Sequence, residues 1–450
     1  MAEVEKMKAL LRGDMQRNVA IMLASQMVSW ALSIAVTFYL PGFLGERKLG
    51  SLTLAIAFAG TLSSFVSLGT STVLVQDIAK HPHAARSLVR TSLRLRVGVG
   101  LALLILGLVS MPLLGYRSEI GLLIVLMLTA QIFGQIADTF QNGLVALEAM
   151  VQQSSAVITD KITFSVLTIT LAFLRAPLWW FAAVYLVSTS AAAAVSYVSF
   201  MRVSRARMQE TPHEPLRDVR SLAKAGVPFL TTRIFAAIYG NGSTAILMVK
   251  LSTLEAIGWF GVAQRFQGAA HMIPVAIVTA ILPRLTRLKH EGDAVGFAKL
   301  AWRMIALVFA AALPLSLVLI LFPERLLGLL HYPPGFAGTI PVLRLEGCVI
   351  FLWFVQQGCG TALIAAGKQK VFALVTGIAA LFAFPLCGLC IWAGERYMQN
   401  GAVGALLGDT LLEIIMMFFY AKALLPDLFP HRANPTHPAG SRVSGKDLPV

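Results

Sequence analysis

Residues 97–114 read VGVGLALLILGLVSMPLL, a run with no charged side chain. A helix that crosses a bilayer needs about 20 apolar residues, because each residue rises about 1.5 Å through a hydrocarbon core about 30 Å thick. The run from Leu122 to Ala137 is equally free of charge, so the first is no isolated apolar patch. In hydrocarbon every backbone N–H and C=O needs an internal partner, and a helix supplies one along its whole length. Working outward, such segments recur at 18–40, 50–74, 96–115, 119–143, 158–174, 178–200, 225–249, 256–282, 301–322, 341–365, 371–393 and 401–421. The chain therefore reads as an all-α polytopic membrane protein with about 12 transmembrane helices. Composition agrees: 57% of the 450 residues are apolar and 13% charged, against roughly 25% charged in soluble domains. The first span starts too late and runs too long for a cleaved signal peptide, and reads as a membrane anchor.

Basic residues stay on the cytoplasmic side of membrane proteins. With the amino terminus inside, 27 of the 37 Lys and Arg fall in inner segments and 8 in outer ones. The remaining two, Arg233 and Arg265, are the basic residues furthest from span ends. Both termini are thus expected to be cytoplasmic. The same bias, with attraction to anionic headgroups, accounts for the net charge of +15, so membrane lipids and no nucleic acid are the expected partners. The longest polar stretch carries Arg202, Arg205, Arg207, Arg217, Arg220 and Lys224 together with Pro212 and Pro215. It divides the chain into an amino-terminal six-helix bundle (1–200), a basic cytoplasmic linker (201–224), a second six-helix bundle (225–425) and a disordered cytoplasmic tail (426–450) rich in Pro and Gly. The halves resemble each other: residues 49–55 align with 257–263 at an offset of 208, and 90–94 with 299–303 at 209. Parallel repeats of this kind place a ligand site between the bundles near the midplane.

A charge at membrane depth costs roughly 2.5–3.5 kcal/mol on insertion scales, so such groups face a cavity or a partner. Gln131, Gln135, Asp138 and Asn142 share one face of the fourth span, as either a cavity lining or a set of interhelical hydrogen bonds. Arg233 and Arg265 offer a planar fork of donors suited to pyrophosphate oxygens, or else pair with Asp138, Asp409 or Glu413. Gln264, Gln267 and His271 share a face of the eighth span and can donate to sugar hydroxyls. Asp409 and Glu413 stack four apart in the last span, where they either carry protons or sodium for coupling or neutralise an arginine. Arg344 and Glu346 read as interfacial. Cys387 and Cys390 have redox spacing but sit inside an apolar span, as two small apolar-facing side chains. No phosphate-binding loop, Asp-x-Asp pair or His-Glu-x-x-His helix occurs. No catalytic residue, metal site or cofactor is expected, beyond coupling to protons or sodium.

Several short motifs carry a family resemblance. Asn18 opens the first span, and the loop 41–45 (PGFLG) leads through Leu49-Gly50 to Ser67-Leu68-Gly69. After the linker come Gly226-Val227-Pro228, residues 256–266 (AIGWFGVAQRF), Pro274 and residues 281–285 (ILPRL). In these the chain resembles the O-antigen and exopolysaccharide flippase branch of the multidrug/oligosaccharidyl-lipid/polysaccharide flippase superfamily. The resemblance implies a V-shaped pair of bundles in a bacterial inner membrane. It implies a polyprenyl-pyrophosphate-linked oligosaccharide as substrate, turned from the inner to the outer leaflet by alternating access. A cationic cavity suits Arg233 and Arg265, and a polysaccharide polymerase and chain-length regulator are the implied partners. One departure is that the first and second spans hold no central basic residue. The alternatives are a cation-coupled multidrug or metabolite exporter of the same superfamily, or a membrane polysaccharide polymerase. The latter is disfavoured by outer connections no longer than residues 323–340.

Overall fold

The computed structural model describes residues 36–114, 118–207, 217–227 and 241–429, together with Met27 and Leu230. The chain runs through α1 (36–44), α2 (Glu46–Val66), α3 (Thr70–Lys80), α4 (Ala85–Leu114), α5 (Ser118–Ala146), α6 (Met150–Phe173), α7 (Leu178–Arg207) and α8 (219–227). It continues through α9 (Asn241–Leu251), α10 (Leu254–Ala270), α11 (Met272–His290), α12 (Ala294–Leu321), α13 (Pro323–Leu329), α14 (Thr339–Ala365), α15 (Gln369–Met398) and α16 (Gly401–Leu428). The described regular structure is entirely helical, and ten of these helical segments are long and apolar enough to cross a membrane. They coincide with ten of the expected spans. The other two, 18–40 and 225–249, overlap residues that lie outside the described set, as do most of the linker and the tail from 430 onward.

Local sequence explains where helices stop and start. Leu68 and Gly69 take positive φ values of 44° and 70°, ending α2 and turning the chain into α3; glycine adopts that conformation without the Cβ clash. The side chains of Thr253, Asp293 and Asn400 accept hydrogen bonds from the amides of Ala256, Gly296 and Val403, capping α10, α12 and α16. On α6 the exposed residues Ile162, Val166, Ile169 and Phe173 follow a four-three-four spacing. That stripe is the lipid face of a membrane helix, and the polar residues Ser154, Ser165 and Thr168 are buried away from it.

Two groups of helices pack internally. In one, α5 packs on α7, α4, α2 and α3, and α6 packs on α7; in the other, α14 packs on α12 and α16, and α15 on α16. The linker returns to the first group: Arg217 bonds Asp77 at 2.5 Å, and Leu222 buries itself against Val73 and Leu95. The principal packing between the groups is α2 against α9 and α10.

That contact is backbone on backbone. A Cβ on Gly50 would overlap the carbonyl of Leu254, and a Cβ on Gly258 would overlap the carbonyl of Glu46. The two contacts exchange under the same offset of 208 that relates residues 49–55 to 257–263. Thr53 against Gly261 and Arg47 facing Glu255 at 3.8 Å are pairs that map onto themselves. The crossing is therefore a local two-fold contact of the kind seen between identical subunits. On the basic-residue distribution of the sequence, this end of α2 and α10 is the one expected to face outward. At their inward ends the two lines part, α3 joining α4 and α5 while α11 joins α12 and α14.

Gly258→Ala is expected to lower the melting temperature of the purified protein, since overpacking a closed contact costs about 1–3 kcal/mol. Gly60→Ala, whose Cβ meets nothing within 4 Å, serves as the control and leaves it unchanged.

Candidate substrate-binding cavity

Immediately inward of the α2–α10 crossing lies a cavity of about 350 Å³, walled by α1, α2, α6, α7 and α10. Thr53 and Gly261 belong to both the crossing and the cavity, so the crossing forms its outer roof. Its polar lining is Thr37, Thr53, Tyr185, Gln264 and Arg265, and Phe164 packs its ring against Tyr185 at 4.6 Å between centroids. The α1 helix is held over it from both sides. Phe38 packs edge-on against Phe266 of α10 at 4.6 Å, and the Tyr332 hydroxyl donates to the Phe38 carbonyl at 2.8 Å.

Arg265 is the decisive group. Its guanidinium donates to the Gly261 carbonyl of its own helix at 3.1 Å, and no carboxylate among the described residues lies within ion-pair distance of it. The neighbouring Gln264 carries a buried Nε2 without a hydrogen-bond partner in the described structure. Both residues line the cavity, and one of them is permanently charged. Such a site favours an anion. Arg233, the other expected phosphate ligand, lies outside the described residues.

Residues 15–289 match the model of a family described as polysaccharide biosynthesis protein. The chain belongs to that family. Residues 228–389 also match the MatE family model. A probable multidrug resistance protein NorM from Rhizobium meliloti (strain 1021) is 28% identical over 190 residues, 41% of this chain. The match spans 40% of that relative's length. Among solved structures, an inward-facing multidrug resistance MATE family transporter of the MOP superfamily superposes with a TM-score of 0.68 at 13% identity, over 91% of this chain and 98% of that one. The lipid II flippase MurJ, in an inward closed conformation, gives 0.70 at 14% identity, over 91% and 89%. The polysaccharide-biosynthesis chain thus has the fold of the MOP-superfamily transporters and flippases and is a multi-pass membrane protein.

The other expected site residues are distributed differently. Gln131, Gln135, Asp138 and Asn142 do line one face of α5, but their charge is met by Arg96 of α4. Arg96 bonds Asp138 at 2.6 Å and Ser71 at 2.7 Å, and Asn142 donates to the same Asp138 oxygen at 2.9 Å. The span boundary drawn at 96 had placed this arginine at a membrane edge, whereas α4 begins at Ala85 and carries it about three turns inward. Gln267 is half-buried on α10 outside the cavity lining, and His271, at the break between α10 and α11, stacks on Trp353 at 4.3 Å. Asp409 and Glu413 are buried on α16, 8% and 3% exposed.

Glu346, expected at an interface, is instead 1% exposed and within electrostatic reach of Asp409. Neither of its carboxyl oxygens has a hydrogen-bond partner in the described structure. Arg344 beside it does reach the surface, bonding Glu324 at 2.7 Å. Cys387 donates to Asp409 at 3.6 Å, so its thiol belongs to this acidic cluster rather than to a redox pair with Cys390.

Asp138→Ala strands a guanidinium whose side chain is 0% exposed. Breaking a buried pair costs about 3–5 kcal/mol, and the half-exposed partner places this one toward the lower end. Thermal unfolding of Asp138→Ala beside the double variant Arg96→Met/Asp138→Leu checks it, with the double variant expected to recover part of the loss.

Proposed function

We propose that this protein is a flippase that moves a polyprenyl-pyrophosphate-linked oligosaccharide from the inner to the outer leaflet of a bacterial inner membrane. The observation that carries this reading is Arg265, a guanidinium without a described carboxylate partner, in a cavity between the two helix groups. Pyrophosphate oxygens match its donor fork, and the polyprenyl tail stays in lipid while the sugars occupy the hydrated side. Membership of the polysaccharide-biosynthesis family supports the same substrate class. Alternating access then means opening the α2–α10 roof while the inward ends of the two bundles, 1–200 and 225–425, close. Glu346 and Asp409, with Glu413 one turn further along α16, couple the cycle to protons or sodium, since like carboxylates within reach of each other at membrane depth shed charge by binding one or the other. A polysaccharide polymerase and a chain-length regulator act on the delivered product.

A second reading, a cation-coupled multidrug or metabolite exporter, is favoured by the NorM relative, a probable multidrug resistance protein. The charge of the cavity argues against a cationic substrate for it, because an uncompensated guanidinium repels a cationic drug.

Deleting the gene and assaying surface polysaccharide, lipid-linked intermediates and drug sensitivity separates the two. The flippase reading expects loss of polymer, with intermediates trapped on the cytoplasmic leaflet. Unchanged polysaccharide with increased drug sensitivity would replace it with the exporter. Arg265→Gln in the complementing copy is expected to abolish polymer rescue while the protein accumulates in the membrane at the normal level. In proteoliposomes, Glu346→Gln and Asp409→Asn are expected to slow gradient-driven transport while leaving binding of inorganic pyrophosphate intact.

A further inference from the structure

One wall of the cavity has a chemistry that phosphate binding does not require. Asp160 and Lys161 lie about three turns inside α6, which begins at Met150. They form an ion pair at 3.0 Å with side chains 22% and 38% exposed. A pair of charges at that depth is retained only on an internal surface. Asp160 and Phe164 are four residues apart on the helix face opposite the lipid stripe, so the carboxylate sits one turn from the ring. On α7, the Tyr185 hydroxyl lies within electrostatic reach of both Asp160 and Arg265. The Phe164 and Tyr185 rings meet at 59°, both lining the cavity. The cavity lining thus brings together the aromatic faces of Phe164 and Tyr185, the unpartnered amide of Gln264 and the guanidinium of Arg265, with the Asp160 carboxylate one helical turn beyond its edge.

We propose that Phe164 and Tyr185 form a pyranose-binding wall, with Asp160 and Gln264 meeting the sugar hydroxyls and Arg265 the adjoining phosphate. The inference rests on the flippase reading and names the part of its substrate that this cavity recognises. A pyranose has apolar C–H faces and a rim of hydroxyls that both donate and accept. Aromatic faces cover the former; a carboxylate accepts from the latter and an amide Nε2 donates to them. A flat organic cation also stacks on aromatic rings, but here Asp160 is already neutralised by Lys161 and Arg265 leaves the site net positive. The volume of about 350 Å³ lies at the lower end of ligand pockets, about 300–1,000 Å³. It suits one glycosyl phosphate, with the rest of the glycan extending out of the cavity.

The test is calorimetric titration of the full-length protein in lipid nanodiscs with glucose 1-phosphate, N-acetylglucosamine 1-phosphate, inorganic pyrophosphate and ethidium. Phe164→Leu and Tyr185→Leu are expected to weaken at least one hexose phosphate by roughly tenfold, the scale of one lost aromatic contact, and to leave pyrophosphate unchanged. Tyr185→Phe, which keeps the ring, retains most of the sugar-phosphate affinity, and Arg265→Gln weakens both ligand types. Melting temperatures confirm that each variant is folded; if a leucine variant is not, Gln264→Ala, expected to weaken the hexose phosphate and spare pyrophosphate, carries the comparison. If the ring-removing variants affect neither ligand or both equally, or if the wild type binds pyrophosphate and no hexose phosphate, the sugar wall is wrong while the flippase reading stands. If ethidium binds, no phosphate does, and Phe164→Leu weakens ethidium, both fall together.

Discussion

Gly50 and Gly258 bring the backbones of α2 and α10 together with no side chain between them. In a bilayer, helix association gains little from the hydrophobic effect, because lipid is as apolar as the helix surface, and close backbone approach through small residues supplies dispersion contact instead. The position of the cavity follows from this crossing. Each helix line breaks partway along and its continuation joins its own group, so the space beneath the crossing is bounded by elements of both groups. Thr53 and Gly261 take part in the seal and in the cavity wall. A movement that separates the two helices therefore removes the roof of the site in the same step.

The charged residues inside the helices sort by whether a partner neutralises them. Arg96 is enclosed within one helix group and turns its two terminal nitrogens to Asp138, Ser71 and Gln135; it ties α3, α4 and α5 together. Arg265 lies between the groups, bonds a carbonyl of its own helix and lines the cavity. Both side chains carry the same charge, and of the two only Arg265 has no carboxylate partner among the described residues. In the second helix group Glu346 and Asp409 lie within electrostatic reach of each other without an ion-pair partner among the described residues. The energetic conflict of two like charges in a dry setting is relieved by a bound proton or cation, and for that reason the coupling role is proposed there.

Much of this architecture was legible in the chain. Uncharged runs such as residues 97–114 determine transmembrane helices, because the bilayer leaves the backbone no other way to satisfy its polar groups. The offset of 208 between residues 49–55 and 257–263 anticipated a two-fold relation, and Arg265 with Gln264 marked the cavity. Tertiary structure decided what each polar group meets. Helical periodicity placed Gln131, Gln135, Asp138 and Asn142 on one face, but whether that face looks into a cavity or onto a buried arginine depends on the neighbouring helix. Hydropathy windows start α4 and α6 at 96 and 158, beside Arg96, Asp160 and Lys161, since a local average treats such charges as span edges. The partner of Arg96 lies across the bundle on α5, where no local average can find it. Glu346 looked interfacial for the same reason: its depth is set by the packing of α14 on α16, a contact between residues sixty positions apart in the chain, which no local pattern records.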